Sequence, residues 1–271
     1  KHKGFVLPAP EGFGIGGNEN YYFSHMYNCI YDCRYCFLQG MYSSANFVLF
    51  VNFEDFDLEI KSLISKNKNI TFFSGYDCDS LALENITGFA SHILPLFRDN
   101  PLALLEFRTK SIQIKPLDKI TPIDNCIMAY SLMPDKMSLE LDKKAPSIKR
   151  RISTIKKLSE MGWKIGLRFD PLIYGKNWKD YYRELHEEIY SSLNLNTVHS
   201  ISYGPLRFPS AMYNKIFDLY PEEKLFTGPF EQNNKVISYK KEVEEEMTDY
   251  CQSISLKHLP KSIIFKCNYE N

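Results

Sequence analysis

Apolar and polar positions change their period repeatedly along this chain. Short runs rich in aliphatic, β-branched and aromatic residues fall at Tyr21–His25, Phe47–Phe53, Ile70–Ser74, Ala103–Phe107, Cys126–Ser131, Lys164–Phe169 and Val198–Tyr203. Runs of that length and composition read as buried strands. Between them, Glu54–Lys66, Ser80–Phe97, Ile148–Met161 and Trp178–Ser192 repeat apolar residues at three- and four-residue intervals, the period of an amphipathic helix. Strands alternating with helices predict parallel pairing through right-handed crossovers. The expected fold is α/β, a partial (β/α)6 parallel barrel whose ligands gather at the carboxyl ends of the strands. Three spans follow: an N-terminal lead-in over 1–20, the barrel over 21–220, and a small C-terminal appendage over 221–271. In the last span the alternation fades and charge rises (Lys240, Lys241, Glu242, Glu244, Glu245, Glu246). The glycines of Gly12-Phe13-Gly14-Ile15-Gly16-Gly17 suggest a phosphate loop, but no strand precedes them, and the segment reads as a flexible lead-in.

Length and composition fit one main domain. A chain of 271 residues that is 44% hydrophobic can bury a full core. No stretch approaches the roughly 18 to 20 apolar residues of a membrane helix, and Lys1-His2-Lys3-Gly4 starts no signal-peptide core, so no membrane partner is expected. Seven cysteines in no paired spacing predict a reducing compartment, with cytoplasm the default. Thirty-three basic and thirty-three acidic residues cancel, which removes a global field for nucleic acid and leaves local patches. The densest basic run, Lys143 to Lys157, lies mostly on a predicted helix and reads as its solvated face.

The chemistry concentrates in Asn28-Cys29-Ile30-Tyr31-Asp32-Cys33-Arg34-Tyr35-Cys36-Phe37. Three soft thiolates at this spacing suit one iron–sulfur cube whose fourth iron has no protein ligand. A zinc site would need a fourth ligand and normally a second cysteine pair. The remaining cysteines, Cys78, Cys126, Cys251 and Cys267, are isolated, and the nearest imidazole is His25. A non-catalytic iron–sulfur or zinc-binding interaction protein therefore stands as the alternative to a catalytic cluster.

This loop, close after a short apolar strand, resembles the signature of the radical S-adenosylmethionine (SAM) superfamily. The run Cys33 to Gln39, continuing to Phe50-Val51-Asn52, is similar to the spore photoproduct lyase family. Thr109-Lys110, Tyr130-Ser131-Leu132, Pro146-Ser147 to Arg151, and Gly162 to Gly166 with Pro171 after it keep step with that family from about Tyr21 to about Tyr220. The resemblance implies a lyase-like enzyme that uses a 4Fe–4S cluster and SAM to form a 5'-deoxyadenosyl radical, with a thymine-dimer lesion in DNA as the expected substrate. A reductant such as a flavodoxin or ferredoxin is the implied partner. Cys29, Cys33 and Cys36 would be the cluster ligands, and Tyr35 would lie against the adenine and act in catalysis. Ser74 and Gly75 would receive the amino group of SAM, Lys110 its carboxylate, and Ser131 a hydrogen bond nearby. From their own position, Arg168 and Asp170 end the fifth barrel strand and point toward the cleft, where either an interior ion pair beside the cofactor, with Arg168 in cofactor binding, or a purely structural pair is expected.

Departures from the family concern the substrate. Where the family's hydrogen-donating cysteine is expected, this chain has Tyr76, with its nearest thiol at Cys78, and the tyrosine after the third cluster cysteine is Phe37. The catalytic candidates are therefore Cys78, Tyr76 and Tyr35, and a different substrate for the same chemistry is the second expectation. Asp77, Asp79 and Glu84 stand near the expected radical, although Asp79-Ser80 before a helical run reads better as an N-cap. Arg207-Phe208-Pro209 follows the last strand, where an arginine suits recognition of a phosphate or a base edge.

Overall fold

Runs of apolar residues with both faces buried can satisfy their backbone only inside a covered parallel sheet. β1 (Val6–Pro8), β2 (Glu19–Phe23) and a two-residue β3 (Met26–Tyr27) lead into α1 (Leu38–Met41), β4 (Val48–Leu49) and α2 (Phe53–Lys66). Next come β5 (Ile70–Ser74), α3 (Glu84–Thr87), α4 (Phe89–Arg98), β6 (Leu104–Thr109), β7 (Cys126–Ser131), α5 (Asp135–Leu141), α6 (Ile148–Glu160), β8 (Lys164–Leu172), α7 (Trp178–Ser192) and β9 (Val198–Pro205). The chain continues through β10 (Arg207–Pro209), α8 (Ser210–Leu219), β11 (Phe230–Asn233), β12 (Val236–Tyr239), α9 (Lys241–Ser255) and β13 (Ile264–Lys266). This computed structural model describes residues 4–267 apart from 11 and 68, so the outer ends of the expected lead-in and appendage, 1–3 and 268–271, lie outside the described residues.

The main sheet runs β1-β2-β5-β6-β7-β8-β9-β13. Only β1 pairs antiparallel, and the other neighbours are parallel, which is the expected curled (β/α)6-type sheet. Registers such as Phe23 with Ser74, Ser74 with Phe107 and Ser131 with Arg168 bring the carboxyl ends of successive strands side by side. Every residue of β5 and β7 is buried. On α6, Ile148, Ile152, Ile155 and Leu158 face the core at the predicted spacing, and the Ser147 side chain accepts a hydrogen bond from the Arg150 amide as N-cap.

Four expectations are corrected by packing. The apolar run Phe47–Phe53 is not a sheet strand: Val48–Leu49 pairs only with β3, Val51 is 79% exposed, and Phe53 already begins α2. Phe47, Val48, Leu49 and Val51 are exposed, whereas Phe50 and Phe53 pack against the core. The helix expected over Ser80–Phe97 breaks at Gly88, whose φ of +62° ends α3, and α4 starts afresh. The lead-in is anchored, since β1 adds an edge strand to β2. After Pro221, β11 and β12 join the earlier β10 in a three-stranded sheet (β10-β12-β11), and α9 and β13 resume the strand–helix alternation, with β13 parallel to β9.

The interior of the sheet is pinned by one ion pair. Arg168 Nη2 lies 2.7 Å from Glu106 Oε2, with both side chains fully buried, and Arg168 also donates to the Ser200 carbonyl (3.0 Å) and hydroxyl (2.8 Å). Burial opposes charge on Glu106, but Arg168 and Arg108 outweigh it and hold its carboxyl below the usual range. Such a depressed group adds stability above its unfolded value, near about 4.3, that is lost as pH falls through the folded value. Arg168→Met should therefore cost about 3–5 kcal/mol, read from the urea midpoint near neutral pH. The loss of stability on acidification should also be shallower in the variant than in the parent.

Candidate active site

A loop that leaves the carboxyl end of β2 cannot hold three thiols in place by its own secondary structure, so neighbouring elements must dock it. One side is fixed by the chain after α5. Cys33 forms an isolated antiparallel bridge with Asp142, and the Arg34 amide donates to the Leu141 carbonyl at 2.8 Å. Tyr35 Oη donates to Asp142 Oδ1 at 2.5 Å, while Arg151 Nη2 reaches Asp142 Oδ2 at 2.6 Å, both charged side chains being fully buried. Arg151 also donates to the carbonyls of Ser131 (3.1 Å) and Pro146 (2.8 Å), which ties the loop to the end of β7. Burial opposes charge on Asp142, and Lys110 and Arg151 hold its carboxyl below the usual range.

The other side is clamped by the end of α8. The Arg34 guanidinium sits 4.0 Å from the centroid of the Tyr220 ring and pairs with Glu223 at 3.0 Å and Asp32 at 2.5 Å. Tyr220 Oη donates to Gln39 Oε1 at 3.0 Å. Against α1, a Cβ on Gly40 would come within 2.9 Å of the Met212 carbonyl, so only glycine allows α1 and α8 to approach this closely.

A cavity of about 550 Å³ opens at the strand ends. Cys29, Cys33, Cys36 and Tyr35 line it from the loop, Ser74 and Gly75 from the end of β5, Lys110 from just past β6, and Ser131 from the end of β7. Tyr76 and Cys78 line it as well. Gly75 has φ +83°, and a Cβ there would meet the Ser80 amide at 2.9 Å and the Cys78 carbonyl at 3.0 Å. That turn carries Tyr76 against Tyr22, with ring centroids 4.3 Å apart, and within 5.4 Å of Phe37.

The donor set fits a cluster of separate irons. All three cysteines are free thiols, and burial pushes Cys29 up to about 12 and raises Cys33 and Cys36, so their thiolates require a cationic partner. Lys110 is one such neighbour. Burial opposes its charge, yet Cys33 and Asp142 outweigh that and raise its pKa, and its Nζ lies 5.2 Å from the Tyr35 ring centroid. Among the described residues no three His, Cys, Asp or Glu side chains close round a single point. Thiolates that each take a different iron do not need such a point. His25, the imidazole nearest the loop in sequence, does not line the cavity: its ring stacks on Phe89 at 4.4 Å, and burial lowers its pKa to about 3.

Other residues move from their expected places. Arg168 does not line the cavity, because its guanidinium is consumed by Glu106 and Ser200 inside the sheet. Asp170 instead faces Arg108 at 3.6 Å and Arg207 at 3.7 Å. Asp79 caps no helix: its carboxylate accepts from Thr109 Oγ1 (2.6 Å) and from the amides of Lys110 (2.7 Å) and Leu81 (3.0 Å), fastening the turn after β5 to the end of β6. Glu84 is the cap, accepting from the Ala90 amide at 2.9 Å and the Ser91 amide at 3.2 Å at the start of α4. Asp77 takes a hydrogen bond from Tyr42, and its amide donates to Ser24 Oγ at 2.9 Å. Asp142, Arg108 and Tyr220 escape sequence reasoning because they sit far from the cysteines in the chain and in no motif.

The family model described as spore photoproduct lyase matches residues 18–265. A curated relative, the spore photoproduct lyase of Bacillus subtilis (strain 168), is 23% identical over 202 residues, or 73% of this chain. The aligned stretch spans only 59% of that relative's length. A spore photoproduct lyase variant solved with bound AdoMet and dinucleoside spore photoproduct shares the fold at a TM-score of 0.81 and 17% identity, over 92% of this chain and 76% of the other. Streptococcus suis SuiB bound to S-adenosylmethionine shares it more loosely, at a TM-score of 0.58 and 13% identity, over 92% of this chain and 50% of the other.

The two-sided docking predicts how the loop responds to mutation. Tyr220→Ala removes the guanidinium stacking and the bond to Gln39, and amide exchange over residues 29–40 should quicken by about 3- to 30-fold, the equivalent of one such contact. Exchange in β5 to β7 should not change.

Proposed function

The chain belongs to the spore photoproduct lyase family, and from that premise we propose that it is a radical SAM enzyme acting on a thymine-dimer lesion of the spore photoproduct kind in DNA. The observation that carries the reading is the meeting of Cys29, Cys33 and Cys36 with Gly75, Lys110 and Ser131 around one cavity. The cysteines would hold three irons of a 4Fe–4S cluster and leave the fourth to SAM; when bound, cluster and SAM supply one-electron cleavage of the sulfonium and hence a carbon radical. Lys110 would pair with the SAM carboxylate, the turn at Ser74 and Gly75 would admit its amino group close to the backbone, and Ser131 would hydrogen-bond beside them. Tyr35 would present its ring to the adenine while Asp142 fixes its hydroxyl. A small reductant protein such as a flavodoxin or ferredoxin would supply the electron.

Both hydrogen-donor candidates line the cavity, the thiol of Cys78 and the phenol of Tyr76. Burial raises the Cys78 pKa, which keeps its hydrogen on sulfur, as donation of a hydrogen atom requires. Phe37 packs against Tyr76 but has no O–H to pass on. That substitution favours a second reading, the same radical chemistry on a different substrate.

After anaerobic iron–sulfur reconstitution and reduction with dithionite, SAM should yield 5'-deoxyadenosine, and a cluster-loaded protein that releases none would defeat the proposal. Replacing any one of Cys29, Cys33 or Cys36 with Ala should reduce this to below about 1% of the parent, while Lys110→Ala should weaken SAM binding about 10-fold or more. On a dinucleotide spore photoproduct, recovery of the undamaged thymine dinucleotide supports the lesion reading, and SAM cleavage without it supports the second. Cys78→Ala and Tyr76→Phe then identify the donor as the variant that still cleaves SAM but fails to complete turnover.

A further inference from the structure

The cysteine loop has an outer face as well as the one it turns to the cavity. Cys33, Tyr35 and Cys36 line the cavity, whereas Asp32, Arg34 and the segment 140–150 do not. That segment is fastened along the loop from the other side. Cys33 bridges to Asp142, the Arg34 amide donates to the Leu141 carbonyl at 2.8 Å, and the Lys143 amide donates to the Asp32 carbonyl at 3.3 Å. Lys143 therefore follows directly on the residue that pairs with one of the three clustered cysteines.

The solvent side of this segment is basic. Lys143, Lys144, Lys149 and Arg150 are exposed, and Glu140 is the one exposed acid within 140–150, which leaves a surplus of three positive charges in a chain whose formal net charge is +0. Lys144 reaches Asp32 only at 4.0 Å, and among the described residues Lys143, Lys149 and Arg150 enter no ion pair. Farther along α6 the pattern changes, since Lys156 pairs with Glu160 at 4.0 Å and Lys157 with Asp118 at 2.9 Å. The basic run is thus not one solvated helix face: its second half is neutralised locally, and its first half borders the cysteine loop without partners. The backbone that carries these cations is held firmly, because Ser147 caps α6 and Arg151 is buried against Asp142.

We propose that Lys143, Lys144, Lys149 and Arg150 form the docking face for an acidic one-electron carrier protein that reduces the cluster. This rests on the radical SAM reading above and names where its reductant lands. The carrier loses one electron and the cluster held by Cys29, Cys33 and Cys36 gains it, with no bond made or broken and no proton moved. Electron transfer weakens steeply with distance, so the carrier has to approach a cysteine without entering the cavity that SAM and substrate would fill. The segment beside Cys33 offers that approach. Electron-transfer encounters are small, below about 1,200 Å² of buried surface, and depend on complementary charge for their speed, which suits a short row of unpaired cations. A nucleic-acid strand, by contrast, must deliver its bases to the cavity, and none of these four residues lines it.

The test uses reconstituted, SAM-loaded protein and a purified acidic bacterial flavodoxin as the probe. Lys143→Gln with Lys144→Gln, and Lys149→Gln with Arg150→Gln, should each weaken flavodoxin binding about 3- to 10-fold, the worth of two exposed charge pairs, and combining all four should flatten the salt dependence of the association rate. Electrons from reduced flavodoxin should then reach the cluster more slowly, whereas dithionite, which needs no docking face, should reduce it at the parent rate. Lys61→Gln with Lys66→Gln, two exposed positions on α2, changes the net charge equally and should leave binding as it is. No saturable flavodoxin binding by the parent, or equal affinity and salt dependence in parent and patch variants, would overturn the docking face. So would an undamaged oligonucleotide that displaces flavodoxin and loses affinity in the same variants, which assigns these cations to nucleic acid. If dithionite yields no 5'-deoxyadenosine from the parent, the radical SAM reading fails, while the flavodoxin binding measurement still decides the docking face.

Discussion

Asp142 and Arg151, an ion pair fully shut off from solvent, hold the site together. Two charges are buried in this way only where every remaining bond is satisfied, and here the partners come from three parts of the chain. Asp142 takes the Tyr35 hydroxyl from the cysteine loop, and Arg151 takes the carbonyls of Ser131 and Pro146. A loop with almost no secondary structure is thereby registered against the end of β7 and the start of α6. Lys110 joins the same field, sharing Asp142 with Arg151 and the thiols with the loop. The cavity's charge balance and the loop's position are consequently one problem, solved by one buried carboxylate.

The parallel sheet explains why so many distant residues meet. Successive parallel strands bring their carboxyl ends to one face, so Ser74, Lys110 and Ser131 arrive together although tens of residues separate them. Side chains one residue earlier or later point elsewhere, as alternation on a strand demands. Depth along the strand matters as well: Arg168 lies in the middle of β8, on the same face as Asp170 but two residues deeper, where Glu106 neutralises it. Arg108 and Asp170 face the cavity from the same two strands.

The cavity also divides its labour by charge and polarity. Thiols and Lys110 gather beside the loop, aromatic rings of Tyr76, Phe13 and Phe37 form the apolar stretch, and Arg108, Arg207 and Lys235 concentrate positive charge along another wall. A chain with balanced overall charge can still present such a field locally, because burial beside low-dielectric walls strengthens it and solvent cancels the rest. The exposed ribbon Phe47–Val51 belongs to none of these groups, and its apolar character led only to a strand that did not form in the sheet.

By itself the sequence determined the periodicity of the helices, the bounds of β5, β7 and α7, and a spacing of three cysteines that suits a cluster, since each of these depends on neighbours within a few residues. Family resemblance carried Ser74, Gly75, Lys110 and Ser131 to the cavity. Tertiary structure alone decided the rest. It broke the helix at Gly88, gave Asp79 to Thr109 and Lys110 rather than to a helix, turned Arg168 inward, and brought Asp142 and Tyr220 to a loop more than a hundred residues away. Long-range pairing of charges follows from which strand ends and helix ends become neighbours, a relation that local pattern does not encode.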